Sequence, residues 1–102
     1  DVARAWLAGL DSAPPGATVV NLGTGTETSI NELWRLAVAG CGQDPDTWPV
    51  SYEESRVGDQ RFMRADISRA RDVLGWVPEI DLAEGLRRTA DWARTDPGAK
   101  TR

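Results

Sequence analysis

The sequence has no histidine, a single cysteine and no long run of apolar residues. Because Cys41 is alone, a disulfide within the chain is excluded. Without histidine, a zinc site would consist almost wholly of carboxylates, so we expect no metal, and the commonest general base is missing too. The roughly 20 consecutive apolar residues that cross a bilayer are absent, as is a signal-peptide pattern. We therefore expect a cytoplasmic protein with no membrane partner.

The distribution of charge indicates where an anion could bind. The chain of 102 residues carries a net charge of −4, which argues against a nucleic-acid partner. Between Arg56 and Arg71, however, five arginines stand against only Asp59 and Asp66. This local excess of positive charge predicts an anion site. The alternative is a set of arginines that contact only solvent, as surface arginines commonly do.

Helical periodicity accounts for most of the chain, whose length suits one small domain. The apolar spacing predicts four helices, at residues 2–10, 29–40, 67–74 and 81–93. Two of them begin with a capping box, Ser29 with Glu32 and Asp81 with Glu84. Asp66 stands at the N-cap of the third helix or just before it. Residues 96–102 are expected to form a disordered tail.

Short β-branched or apolar segments between the helices predict strands. The clearest is residues 18–22 (TVVNL), followed by residues 50–52 and 62–65. The expected fold class is therefore α/β, a small mixed unit of about three short strands and four helices. The first two strands would be joined through the helix at 29–40 as a right-handed crossover.

One motif resembles a phosphate-binding loop without meeting its requirements. Residues 23–28 (GTGTET) stand between a predicted strand and a predicted helix, where a G-x-G-x-x-G dinucleotide loop would lie. The third glycine, which lets helix and strand pack closely, is replaced by Thr28. Glu27 near the helix start would also repel a pyrophosphate. We interpret this segment as a tight turn and expect no cofactor there.

Six blocks in order carry a resemblance to a known family. They are residues 20–25 (VNLGTG), 28–33 (TSINEL), 56–61 (RVGDQR), 65–70 (ADISRA), 74–78 (LGWVP) and 82–86 (LAEGL) with Trp92. Together they resemble the C-terminal part of the NAD-dependent epimerase/dehydratase family. These are extended short-chain dehydrogenases that act on nucleotide sugars, UDP-glucose 4-epimerase among them. The resemblance covers about residues 1–95.

The resemblance implies that this chain holds only part of such an enzyme. In the family, an N-terminal Rossmann domain binds NAD or NADP and supplies a catalytic Tyr-x-x-x-Lys pair. Here the sole tyrosine, Tyr52, is followed four residues later by Arg56, and the sole lysine is Lys100. Residues 1–95 would then be a substrate-binding domain, inactive alone, whose partners are the missing Rossmann domain and a nucleotide-diphosphate sugar.

The resemblance also identifies the residues expected to bind that substrate. In the family's Arg-x-Gly-Asp pattern the arginine contacts the diphosphate, and Arg56 matches it. A guanidinium presents a planar fork of donors that suits two phosphate oxygens. Asp59 would accept from a ribose hydroxyl or orient an arginine, and Arg61 is a second candidate for binding the anion. We prefer Arg61 to Arg64, because an extended segment would place them on opposite faces.

Arg69 and Arg71 lie off the apolar face of their helix, so we expect them on a solvated surface. Asn21 is expected to bond to the backbone of the turn. The nucleotide base, the sugar, NAD versus NADP and the oligomeric state are not predicted. Three alternatives stay open: a dTDP-sugar 4,6-dehydratase, a UDP-sugar decarboxylase or reductase, and a non-catalytic binding or scaffolding module.

Overall fold

The computed structural model describes residues 1–96 and 98. Four helices lie where the periodicity predicts them: α1 (Val2–Ser12), α2 (Ile30–Gly40), α3 (Ser68–Leu74) and α4 (Leu82–Thr95). All are too short or too polar to span a membrane within that part of the chain. The expected disordered tail, residues 96–102, lies outside the described residues except at positions 96 and 98.

The predicted α/β class is wrong, because residues 1–96 and 98 contain helices and no strand. A strand exists only where its backbone N–H and C=O groups bond to a neighbouring strand. The segments at 18–22, 50–52 and 62–65 have no such ladder with any described residue. The expected right-handed crossover between strands is therefore wrong as well.

The described chain forms two compact units. The first consists of Asp1–Glu27 and Gln60–Ile80, and the second of Thr28–Asp59 with the segment from Asp81 onward. In the first unit α1 packs on α3. Its core is a cluster of Ala5, Ala70 and Trp76, to which Val20 and Leu22 add partly buried side chains. Because two members of this cluster are alanines, the helices can approach each other closely next to the indole of Trp76.

Asp1 joins the start of the first unit to residues 76–80. Its main-chain carbonyl accepts a hydrogen bond of 2.9 Å from the indole nitrogen of Trp76. Its carboxylate accepts from the backbone amides of Glu79, at 3.3 Å, and Ile80, at 3.1 Å. Arg4 adds an ion pair of 2.8 Å to the same carboxylate. No signal in the sequence pattern predicts this set of contacts.

In the second unit, α2 packs on α4. Both predicted capping boxes are found in part, since Ser29 accepts from the amide of Glu32 at 3.1 Å and Asp81 accepts from the amide of Glu84 at 2.8 Å. Gly40 permits the close approach of the helices, because a Cβ there would lie 3.3 Å from the backbone nitrogen of Arg87. The guanidinium of Arg94 also donates to the carbonyl oxygen of Cys41.

The glycine after α2 completes a Schellman motif. The amide of Gly42 donates to the carbonyl of Ala39 at 2.9 Å, and the amide of Gln43 donates to that of Val38 at 3.1 Å. Gly42 has a φ of +77°, in the left-handed region that favours glycine. The end of α2 is therefore set by backbone geometry that the Gly40 and Gly42 positions predict.

A network of ion pairs covers one face of α4. Glu84 accepts from Arg87 at 2.8 Å and from Arg88 at 2.7 Å. Asp91 accepts from Arg87 at 2.7 Å and from Arg94 at 3.3 Å. Spacings of three and four residues place these side chains on adjacent turns of the helix. The hydrogen bonds from the two arginines lower the pKa of Glu84 to about 2, from an ordinary value of 4.5.

We expect the network to weaken in acid. Because the pKa of Glu84 is lower in the folded protein, the stability it adds is complete above pH 4.5 and is lost as the pH falls from 4.5 towards about 2. Glu84→Gln should make the unfolding free energy less dependent on pH in this window, measured by urea denaturation. Glu53→Gln, at an exposed acid without an ion pair in the described chain, is the matched control. Equal pH profiles for both variants would contradict this assignment.

Candidate functional site

Arg56 and Asp59 lie at the two ends of one exposed turn in the second unit. The amide of Asp59 donates to the carbonyl oxygen of Arg56 at 3.3 Å, which closes the turn. Gly58 occupies its third position with a φ of +92°, and the space beside its Cα is open. A positive φ at this position is what a type II turn requires. The turn presents both side chains to solvent.

Arg56, Arg61 and Arg64 differ from the other arginines of the described chain in forming no hydrogen bond or ion pair with it. Those with a carboxylate or carbonyl partner are Arg4, Arg35, Arg69, Arg71, Arg87, Arg88 and Arg94. The hydrogen bonds from Ser68 lower the pKa of Asp66, and the charge of Arg64 adds to this shift without a hydrogen bond. Within residues 1–96 and 98, the guanidinium groups of Arg56, Arg61 and Arg64 thus keep their donors available to an external anion.

The three predicted ligand residues do not all belong to one unit. Arg56 and Asp59 are in the second unit, whereas Arg61 is in the first and is exposed there. The segment from 62 to 65 is not a strand, so strand alternation no longer separates Arg61 from Arg64. Both arginines are exposed and form no hydrogen bond or ion pair within the described chain, so the preference for Arg61 stays a prediction. The roles of Arg56, Asp59 and Arg61 stay predictions.

The structure changes two predictions made for the first unit, those for Arg69 and Asn21. Arg69 is exposed but not merely solvated, because its guanidinium donates to the carbonyl of Val19 at 3.2 Å. Asn21 forms no hydrogen bond with the turn in the described chain; instead the amide of Thr26 donates to the hydroxyl of Thr24 at 3.4 Å. Asn21 lines a polar cavity of about 580 Å³.

Asp66 fixes the start of α3 from one position before the N-cap, which is Ile67. Its carboxylate accepts from the hydroxyl of Ser68 at 2.6 Å and from the amide of the same residue at 3.0 Å. These two hydrogen bonds hold the pKa of Asp66 below its ordinary value, and the bond from the Ser68 hydroxyl has the larger effect. The carboxylate is therefore a helix-capping group, as the sequence position predicts.

The glycines of residues 23–28 are explained by packing within the first unit. A Cβ at Gly23 would lie only 2.8 Å from the Cβ of Ala65, so the space that glycine leaves is taken by Ala65. Gly25 has a φ of +73°, and a Cβ there would contact Ile67 at 3.4 Å. A dinucleotide loop uses its glycines to bring the backbone close to a pyrophosphate. Here the same residue type brings two segments of the protein together.

The relatives of this chain are nucleotide-sugar epimerases and dehydratases, so the chain belongs to the NAD-dependent epimerase/dehydratase family that its six motifs resemble. It is 44% identical to the UDP-glucose 4-epimerase of Mycolicibacterium smegmatis over 79 residues, which are 78% of this chain and 24% of that enzyme. It is 39% identical to the dTDP-glucose 4,6-dehydratase of Streptomyces griseus over 75 residues, 72% of this chain and 22% of that enzyme.

The three-dimensional comparison agrees with the sequence comparison. The crystal structure of UDP-glucose 4-epimerase from Bifidobacterium longum, in complex with NAD+ and UDP, matches 96% of this chain with a TM-score of 0.81 and 27% identity. The match covers 29% of the epimerase chain. No protein-family model matches the sequence. The chain thus spans about a quarter of the length of the relatives it resembles.

Proposed function

We propose that this chain is the C-terminal, nucleotide-sugar-binding part of an NAD(P)-dependent sugar epimerase or dehydratase of the UDP-glucose 4-epimerase type. The observation that carries the proposal is the Arg56 to Asp59 turn, which presents to solvent both a carboxylate and a guanidinium that has no partner within residues 1–96 and 98. The matching epimerase structure contains UDP, a nucleoside diphosphate. Arg56 would bind its diphosphate and Asp59 a ribose hydroxyl.

The reacting groups of such an enzyme would come from the part of the polypeptide that this chain lacks. Tyr52 and Lys100 do not form a Tyr-x-x-x-Lys pair. The glycines at 23 and 25 pack against Ala65 and Ile67, so they do not fit a cofactor site. NAD or NADP would therefore bind to an N-terminal Rossmann domain, where it supplies hydride transfer. Residues 1–95 bind and orient the substrate and are inactive alone.

The experiment that tests the binding role is an NMR titration of the 102-residue chain with UDP. Shifts should centre on Arg56 and Asp59, with Arg61 as a separate prediction. Each charge-assisted hydrogen bond to phosphate is worth about 1.5–3 kcal/mol, so Arg56→Gln should weaken binding about tenfold or more. Arg64→Gln is the matched control, because Arg64 is an exposed arginine nearby in the sequence. No response to UDP at millimolar concentration would contradict the assignment.

A second candidate is a dTDP-sugar 4,6-dehydratase, which the similarity to the Streptomyces griseus enzyme favours. Repeating the titration with dTDP separates the two by base preference. The upstream coding sequence provides an independent test. A glycine-rich loop after a first strand and a Tyr-x-x-x-Lys pair would support an enzyme of either type. Their absence would favour a non-catalytic binding module.

A further inference from the structure

The segment that leads into the Arg56 turn carries three exposed side chains of different chemistry. Residues 51–56 are neither helix nor turn, and all of them are exposed. Tyr52 is 75% exposed, and Glu54 and Arg56 follow it at intervals of two residues. An extended backbone places such residues on one face, about 7 Å apart. The segment therefore presents an aromatic ring, a carboxylate and a guanidinium in that order.

The charges on the two sides of Arg56 have the opposite sign to its own. Glu54 precedes it and Asp59 follows it, but neither carboxylate forms an ion pair with its guanidinium. A carboxylate repels a phosphate, whereas it accepts hydrogen bonds from neutral hydroxyl groups. This order of charges suits a ligand with an anionic centre and a hydroxyl-rich group on each side. A nucleotide-diphosphate sugar has that composition: ribose, diphosphate, sugar.

The exposed ring of Tyr52 adds a surface that suits the sugar in particular. With the diphosphate at Arg56 and the ribose at Asp59, the residues before Arg56 lie on the side where the sugar is attached. A pyranose ring has faces of C–H groups and hydroxyls around its edge. The C–H groups fit the electron-rich face of an aromatic ring, and the hydroxyls can donate to a carboxylate. Tyr52 and Glu54 supply these two groups next to each other on the same face.

We propose that Tyr52 and Glu54 form the subsite for the sugar of the nucleotide-sugar substrate. The C–H face of the sugar packs on the ring of Tyr52, and its hydroxyls donate to the carboxylate of Glu54. The inference rests on the proposed function, since it requires that Arg56 and Asp59 bind the nucleotide. Contact through one face leaves the other face of the sugar open to the reacting groups of the longer polypeptide. Tyr52 thus has a binding role, although it belongs to no Tyr-x-x-x-Lys pair.

The test compares UDP-glucose with UDP in NMR titrations of the 102-residue chain. UDP-glucose should bind about three- to tenfold more tightly than UDP, the gain expected from one aromatic contact. Tyr52→Leu should abolish this difference and leave the dissociation constant for UDP unchanged. Tyr52→Phe should keep the difference, because phenylalanine has the same ring. Trp48→Leu, at another exposed aromatic residue of the second unit, is the matched control and should also keep it.

A second pair of variants tests the carboxylate. Glu54→Gln should weaken the binding of UDP-glucose about threefold, because a neutral amide is a weaker acceptor than a carboxylate. Glu53→Gln removes the same charge from the neighbouring exposed residue, whose side chain points to the opposite face of an extended segment. It should leave the dissociation constant unchanged. Equal effects of the two variants would overturn the role of Glu54.

The outcomes separate the sugar subsite from the function on which it rests. If UDP does not bind, the proposed function is overturned and this inference with it. If UDP binds but UDP-glucose binds no more tightly, only the sugar subsite is overturned. An equal loss for both ligands in Tyr52→Leu would assign the ring to the nucleotide and would overturn the subsite as well.

Discussion

Trp76→Ala is expected to lower the unfolding free energy of the first unit by about 3–5 kcal/mol, enough to unfold a small unit at room temperature. Trp76 is 3% exposed and belongs to one core cluster with Ala5 and Ala70. These alanines have no side chain long enough to refill the space that an indole would leave. The substitution also removes the hydrogen bond from the indole nitrogen to the carbonyl of Asp1. Urea denaturation followed by circular dichroism measures the loss.

The matched control is Trp6→Ala, which removes the same side chain from the same unit at a position that is 75% exposed. Its effect should be within about 0.5 kcal/mol, as for most surface substitutions. Trp76→Phe separates the two contributions, because phenylalanine keeps most of the volume but cannot donate to Asp1. Equal losses for Trp76→Ala and Trp6→Ala would mean that Trp76 is not the centre of the core.

Gly23→Ala is expected to destabilise the first unit by about 1–3 kcal/mol through overpacking. The added Cβ would lie 2.8 Å from the Cβ of Ala65, which is attached directly to the backbone and cannot rotate away. The backbone segments around residues 23 and 65 must therefore move apart. The loss is measured as a shift in the midpoint of urea denaturation.

A compensating substitution makes this prediction specific. Ala65→Gly removes the atom that the new Cβ would strike, so Gly23→Ala with Ala65→Gly should be more stable than Gly23→Ala alone. A double-mutant cycle then gives the coupling between the two positions. If the two losses simply add, the close contact does not explain why glycine stands at position 23. A ligand role for that glycine would then need to be reconsidered.

The helices could be predicted from the sequence because the interactions that determine them are local. Helix positions depend on apolar periodicity and on caps such as Ser29 and Asp81, which act within one turn of the chain. The strand predictions were wrong, because residues 18–22 have strand composition but no strand partner among the described residues. Strand composition indicates only a local preference. A strand also needs a second segment to pair with, and no local sequence pattern shows where that segment is.

The binding roles of Arg56, Asp59 and Arg61 stay predictions, and their arrangement was not predictable from the sequence. The structure places Arg56 and Asp59 on a turn at residues 56–59, in which Gly58 has a positive φ. That Arg61 belongs to the other unit depends on contacts of residues 60–80 with residues 1–27, which are distant in sequence. That the Arg56 guanidinium has no partner within residues 1–96 and 98 likewise depends on where every acidic side chain of that part lies.

The contacts of Asp1 set a practical boundary for anyone who shortens or extends the chain. Its carbonyl accepts a hydrogen bond from the indole of Trp76, and its carboxylate accepts hydrogen bonds from the amides of Glu79 and Ile80. A version that starts at Val2 would leave these three donors to water and would free the 76–80 segment to fray. An affinity tag placed ahead of residue 1 keeps both acceptors. Domain boundaries for expression should therefore keep Asp1 and never fall within the first helix.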